Sequence, residues 1–275
     1  MPLAVCATPI GNLEDVTLRV LRELGEADVV LCEDTRHTKG LLDRHGIRAQ
    51  LLSYHQHNEA QRTAELLPRL AGGERIALVS DAGLPGVNDP GARLIAAALE
   101  AGVGVTVLPG PSAVETALVA SGLAGEQFRF LGYLPRGEKA RAALWADLAA
   151  WRYAAVAFES PQRLPSTLRS LAAALPERPV AVCRELTKRF EEVTRGTAGE
   201  LAGRFAEPPK GEITLVFGAP GEVAQVDAGQ AFAVPLAAVV ELVAAGVPRR
   251  QAADVVARLA RVSRNTLYAE SLKSP

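Results

Sequence analysis

Residues 76–100 read IALVSDAGLPGVNDPGARLIAAALE: four apolar residues in a row, a loop dense in glycine and proline, then a helical segment. A short continuous apolar run, closed by turn residues and followed by a helix, is what a strand buried on both faces of a parallel sheet requires. The same unit recurs on either side. LAVCA (3–7), ADVVLC (27–32), QLLSY (50–54) and GVTVLP (104–109) are further runs of this kind, and segments such as LEDVTLRVLREL (13–24) lie between them. Residues 1–122 therefore read as an α/β domain, a parallel sheet covered by helices.

After Gly122 the polar AGEQ interrupts the pattern, and a second series begins with FRFLGYL, YAAVAF, PVAVCREL, FEEVTRG and EITLVFGA. Helical segments follow the first, second and fourth of these runs. The third and fourth, near Pro179 to Leu186 and Phe190 to Arg195, have only a few residues between them, the spacing of an antiparallel hairpin. Residues 123–222 thus read as a second α/β domain with a mixed sheet. GEVAQVDAGQAF reads as a linker, and the third segment, residues 230–275, holds an Ala-rich helical tail from Pro235 onward.

Bulk properties narrow the class. A hydrophobic fraction of 48% can fill a sizeable core, and no run reaches the roughly 18 apolar residues of a membrane span. Met1 to Asn12 lacks the basic flank and long apolar run of a secretory signal. Cys6, Cys32 and Cys183 are far apart within apolar runs and read as buried thiols, not disulfides or metal ligands. A cytoplasmic, metal-free protein is the expectation. The net charge of −1 leaves a nucleic-acid partner open, because phosphate affinity follows a local basic patch.

In an open α/β sheet, ligands bind beyond the carboxyl ends of the strands. The loops there are Thr8 to Asn12 (TPIGN), Glu33 to His37 (EDTRH), Ser80 to Gly91 (SDAGLPGVNDPG) and Pro109 to Ala113 (PGPSA). Their glycines and prolines let backbone groups approach a ligand closely. Taken singly each also reads as an ordinary turn, and Asp89 ahead of Pro90 suits a helix N-cap. Neither G-x-G-x-x-G in the first loop nor G-x-x-x-x-G-K-[ST] anywhere is present, which removes support for ordinary dinucleotide binding and P-loop hydrolysis. His37, His45, His55 and His57 read as surface or helix-end residues.

These loops carry a resemblance. TPIGNLEDVTLR, CEDTRHTKGLL, SDAGLPGVNDPG, LPGPSAVETAL, FLGYLPR, FESPQRL, RELTKRFEE and KGEITLVFG resemble, in order and spacing, the small-subunit ribosomal RNA cytidine 2′-O-methyltransferases of the tetrapyrrole-methylase superfamily. Asn88, where many members have Ser, and FGAP, where Glu-Gly is more usual, are small departures. The resemblance implies two αβα domains of the class III methyltransferase type, closed as a homodimer, with S-adenosylmethionine held in the cleft between them. It implies transfer to a cytidine of the decoding centre in 16S ribosomal RNA, on the assembled small subunit. Carried over by position, the cofactor lies against Pro9, Ile10, Asp81, Gly83, Leu84, Ser112 and Ala113 from the first domain. Phe158, Leu186, Glu212, Ile213 and Thr214 complete the pocket from the second. Candidates for assisting proton removal are Asp34, Arg36, Glu159, Glu185 and Lys188, each at or just after a strand end. Against that reading, Arg36 can pair with Asp34, and Arg184, Glu185 and Lys188 can form a charged hairpin edge.

The tail is locally basic: Arg249, Arg250, Arg258, Arg261, Arg264 and Lys273 stand against Asp254 and Glu270. Pro248 suits a first helical turn, Ala252, Val255, Val256 and Leu259 share a face, and Ser263 can cap a second helix carrying Leu267. This resembles a helix-turn-helix, with Arg249, Arg250, Arg264 and Asn265 as the RNA-contacting residues; an ordinary helical hairpin at a dimer interface is the competing reading. For the whole chain, two alternatives remain at this level: a relative that methylates a tetrapyrrole or a protein, and a DNA-binding regulator that senses a metabolite without catalysis.

Overall fold

The computed structural model describes residues 2–220, 228–260 and 264–272. They fall into two compact units, Met1–Gly221 and Glu222–Pro275.

The first unit opens with β1 (Leu3–Cys6), a 3-10 turn (Leu13–Asp15), α1 (Leu18–Glu26), β2 (Val29–Cys32), α2 (Thr35–Arg44) and β3 (Leu51–Ser53). It continues with α3 (Glu59–Ala71), β4 (Ile76–Val79), α4 (Ala92–Glu100), β5 (Val105–Leu108) and α5 (Ala113–Ser121). The strands make a five-stranded sheet in the order β3-β2-β4-β1-β5, every pair parallel. Alternation along each strand supplies both faces. Leu3, Leu31, Ile76 and Leu78 face Leu66, Leu70, Leu94 and Ala98 of α3 and α4. Ala4, Cys6, Val30, Cys32, Ala77 and Val79 face Val20, Leu24 and Leu42 of α1 and α2. All three cysteines are free and buried, and burial pushes the thiols of Cys6 and Cys183 up to about 12.

The same unit then adds β6 (Phe128–Tyr133), α6 (Glu138–Ala150), β7 (Ala154–Glu159), α7 (Leu164–Ala174), β8 (Pro179–Arg184), β9 (Glu192–Thr197), α8 (Ala198–Arg204) and β10 (Ile213–Phe217). The second sheet runs β6-β7-β10-β8-β9, with β6 parallel to β7 and the other pairs antiparallel, so the hairpin and the mixed sheet are both present. One face packs on α6, α7 and α8 through Trp145, Leu148, Leu168, Leu171 and Leu201. The other face is covered by α5: Val114, Ala117 and Leu118 join Ala154, Val156, Ala181, Cys183 and Val216 in one cluster.

In the second unit, α9 (Ala228–Ala244), α10 (Arg249–Ala260) and α11 (Arg264–Ser271) pack on one another around Val239, Ala252, Ala253, Val256, Ala257 and Leu267. The helical tail begins earlier than Pro235. That proline lies inside α9, where it has no N–H to give to the preceding turn. Residues 221–227 of the expected linker, and Arg261, Ser263 and Lys273, lie outside the described residues. Among the described residues no helix is long and apolar enough to cross a membrane.

The expected N-cap at Asp89 is not formed. The residue ahead of α4 is Gly91 at φ 138, because the chain must turn tightly to bring the loop back over β4. A Cβ there would lie 2.9 Å from Leu78 Cδ2 and 3.3 Å from the Gly86 nitrogen. Gly91→Ala combines this clash with a backbone geometry closed to L residues, at a cost of about 2 kcal/mol or more. A fall of several degrees in Tm is expected; an unchanged Tm would show that the loop relaxes freely.

Candidate active site in the cleft between the two sheets

Two loops at the carboxyl edge of the first sheet are stitched together by backbone. The Thr8 N–H donates to the Gly83 carbonyl at 2.8 Å, and the Gly83 N–H donates back to Thr8 at 3.1 Å. The buried hydroxyl of Thr8 donates to the Ser80 carbonyl at 2.9 Å, and that of Ser80 to the Gly83 carbonyl at 3.2 Å. A third loop joins them: Ile10 Cγ2 and the Pro111 carbonyl each lie 3.8 Å from where a Gly83 Cβ would stand. Pro9, Ile10, Gly83 and the start of α5 are thereby brought to one place, with Asp81 and Leu84 half-buried beside them. Ser112 is the residue ahead of α5, and its hydroxyl turns to Glu115, not to the amides of the first turn.

The second sheet closes this edge. Ile10, Ala113, Phe158 and Leu186 belong to one apolar cluster. Phe158 packs edge-to-face on Phe130 at 5.0 Å and on Tyr133 at 5.5 Å. Thr214 is buried opposite Phe158 in the β7–β10 register. Its neighbour Ile213 points to the far face, among Leu215, Phe217 and the outer helices, so only its backbone can serve the cleft. The two halves meet closely at Gly11, where a Cβ would fall 2.6 Å from Lys188 Cγ and 2.9 Å from the Leu186 carbonyl.

The charged residues named from sequence separate into three groups. Asp34 caps α2, accepting from the Arg36 amide at 2.8 Å, and pairs with the Arg36 guanidinium at 2.7 Å. The Arg36 hydrogen bonds hold its carboxyl well below the usual range. Glu159 is a correction: it lies on the helix-covered face, fully buried, accepting from Arg163 Nε and Thr167 Oγ1 at 2.6 Å each. Strand alternation turns it away from the cleft, and its oxygens are used in seating α7. Lys188 bridges Glu185 and Glu212 at 3.0 Å each. The Glu212 amide and Lys188 together lower the Glu185 carboxyl; for Lys188, burial acts downward but the hydrogen bonds to Glu212 and Glu185 outweigh it and raise the ammonium.

A further acidic group was not among the expected proton acceptors. Glu33 and Asp81 follow the adjacent strands β2 and β4, and the Asp34 amide donates to Asp81 Oδ1 at 3.2 Å. Burial, then the Asp81 charge, raises the Glu33 carboxyl. Burial, then Glu33 and Asp81, pushes Asp89 up to about 6. Asp89 stands where its loop meets β6: the Asn88 Oδ1 lies 3.0 Å from the Gly132 Cβ position. The signal in the sequence was an acidic residue within two positions of the end of each of two apolar runs. His37, His45 and His57 are exposed, and His55 is half-buried in the turn that opens α3.

Of the tail residues, Arg249 donates to the Ser271 carbonyl and so ties α10 to the end of α11, while Arg250 is exposed. Arg264 and Asn265 open α11, and their side chains lie outside what the structure describes.

With this geometry established, comparison with known proteins is informative. A family model described as Tetrapyrrole (Corrin/Porphyrin) Methylases matches residues 2–202. The chain is 42% identical over 274 residues to the ribosomal RNA small subunit methyltransferase I of Mesorhizobium japonicum, covering 98% of this chain and 91% of that one. It is 45% identical over 221 residues to the protein of the same name from Halalkalibacterium halodurans, covering 80% and 76%. Uroporphyrin-III C-methyl transferase from Thermus thermophilus, solved in complex with S-adenyl homocysteine, shares the fold: TM-score 0.55 at 18% identity, covering 79% of this chain and 97% of that one. The chain belongs to the tetrapyrrole methylases and, within them, to the family of the ribosomal RNA small subunit methyltransferases I.

Asp89 allows a test that separates function from stability. Its proton is held more tightly in the folded protein than in the unfolded chain, so folding is favoured below the ordinary carboxylate range and loses that advantage as pH rises through about 6. At pH 7.5 the ionised Asp89 therefore costs stability. Asp89→Asn is expected to raise Tm at pH 7.5, with the gain disappearing toward pH 4, while methyl transfer falls; equal Tm at both pH values would refute the placement.

Proposed function

We propose that the protein transfers a methyl group from S-adenosylmethionine to the 2′-hydroxyl of a cytidine ribose in 16S ribosomal RNA, in the decoding centre of the small ribosomal subunit. The observation that carries this reading is the gathering of loops at the sheet edge, where Thr8 and Gly83 pair through their backbones and Ile10, Ala113, Phe158 and Leu186 share one apolar cluster. An adenosyl group asks for such a mixture: apolar walls for the ring, backbone groups for its edge, and a carboxylate, Asp81, for the ribose or the ammonium. The residues fit the cofactor, which when bound supplies an electrophilic methyl on a sulfonium.

The remaining tasks belong to the chain. The slot aligns the incoming hydroxyl and keeps water out, which is where most of the acceleration of a displacement arises. Asp89 is our assignment for the proton acceptor, since a carboxyl near 6 is ionised at neutral pH yet basic enough to take a proton. Glu185 and Glu212 orient Lys188 at the joint of the two sheets, and Arg36 is held by Asp34 at the other side. Arg250 and the start of α11, at Arg264 and Asn265, serve the RNA, and the enzyme works as a cytoplasmic homodimer.

Incubation with radiolabelled S-adenosylmethionine and small subunits from cells lacking this enzyme is expected to place label on a cytidine ribose, located by nuclease digestion and mass spectrometry. Absence of transfer to subunits and to free RNA would sink the reading. Asp81→Ala removes a charged hydrogen-bond partner and is expected to weaken cofactor binding roughly ten- to hundredfold by calorimetry. The transfer rate at saturating substrate is expected to rise with pH through about 6 and then level off.

A further inference from the structure

A second concavity, of about 410 Å³, adjoins the slot and is lined by Gly11, Asn12, Leu13, Glu14 and Arg44 on one side and by Thr187, Lys188 and Arg189 on the other. Its size falls within the roughly 300–1,000 Å³ typical of ligand sites. Its inner wall, at Gly11 and Thr187, is next in the chain to Ile10 and Leu186 of the apolar cluster described above.

The walls are built firmly. The Asn12 amide donates to Thr187 Oγ1 at 3.0 Å, and the Thr187 amide donates to Glu191 Oε2 at 2.6 Å. Glu185 and Thr187 both hold positive φ, at 52° and 66°, a strain that non-glycine residues keep only where the surroundings impose it. Three cations against one carboxylate line the groove. Lys188 is already clasped by Glu185 and Glu212, but Arg44 reaches Glu14 only at 3.5 Å between exposed side chains, a pair of little worth in water. Among the described residues Arg189 pairs with no carboxylate, and its guanidinium lies 5.5 Å over the Phe190 ring, which is 65% exposed. An exposed ring beside an unpaired guanidinium is the combination that single-stranded nucleic acid uses for stacking and phosphate contact.

We propose that this groove seats the unpaired strand next to the target nucleotide, with Arg44 and Arg189 on its phosphates and a base stacked on Phe190. The proposal rests on the RNA-methylation reading and names a contact surface outside the helical tail. The occupant is RNA because the lining offers three cations and Arg189 carries the exposed Phe190 ring at the groove's margin; a ribosomal protein surface is the competitor that the test must detect.

Phe190→Ala and Arg189→Ala, made in the full chain, are expected each to raise KM for small subunits by about tenfold, the loss typical of one stacked base. kcat and the calorimetric Kd for S-adenosylmethionine are expected to stay as in the wild type, and Phe190→Trp is expected to restore KM. For Arg189→Ala, the salt dependence of binding to an unpaired oligoribonucleotide should flatten by about 0.7 in log–log slope. KM within twofold of wild type in both alanine variants would overturn the groove while leaving methylation intact. Ultraviolet crosslinks from position 190 that go to ribosomal protein instead of RNA would also overturn it. A wild-type protein that transfers no methyl at all would remove the parent reading first, and this one with it.

Discussion

Helix α5 has to satisfy two sheets at once. It follows the edge strand of the first sheet, so its first residues, Ser112 and Ala113, stand among the loops at that sheet's carboxyl edge. Its body covers the second sheet through Val114, Ala117 and Leu118. Burial of these residues brings Phe158 and Leu186 into one cluster with Ile10, two residues on from Thr8. The cleft is thus a product of core packing: the residues that stabilise the joint are next to those that meet the ligand, and rigid packing at one is precision at the other.

Much of this was legible in the residues. Strands buried on both faces declare themselves as unbroken apolar runs, and IALV needed little context to be assigned. The hairpin of β8 and β9 followed from the short distance between two runs. What the sequence withheld was the order of strands and the side on which each residue emerges. Glu159 ends a strand, as a cleft residue would, yet alternation sends it to the outer helices. Ile213 and Thr214 are adjacent, and only one side chain faces the slot. The Glu33–Asp81–Asp89 group exists because β2 and β4 are neighbours, a fact of topology and not of spacing. Asp89 looked like a helix cap because its surroundings, Asp-Pro-Gly, suit one; the tight turn at Gly91 took that role.

Charge is distributed along the cleft with a gradient. The slot floor is acidic: burial and the Asp81 charge raise the Glu33 carboxyl, and burial with the charges of Glu33 and Asp81 pushes Asp89 up to about 6. The outer groove is basic at Arg44 and Arg189. A polyanion is therefore drawn to the rim and repelled from the floor, so that only a neutral portion of it, a ribose with its hydroxyl, gains by entering. A cationic cofactor is favoured on the floor for the same reason. The order of the two charges sorts the two reactants without a residue dedicated to sorting.

The strand order has a bearing on how the chain is made. β1 precedes both of its partners in the chain: Leu3 pairs with Ile76 on one side and Val105 on the other. Its LAVC segment has no strand partner until β4 and β5 have been synthesised, and such long-range parallel pairing is slow to form. The nascent chain therefore carries an unpaired hydrophobic strand through most of the synthesis of its first sheet, a period in which aggregation competes with folding. The interior position that gives the mature enzyme its stitched active-site loop thus ties completion of the first sheet to strands far along the chain.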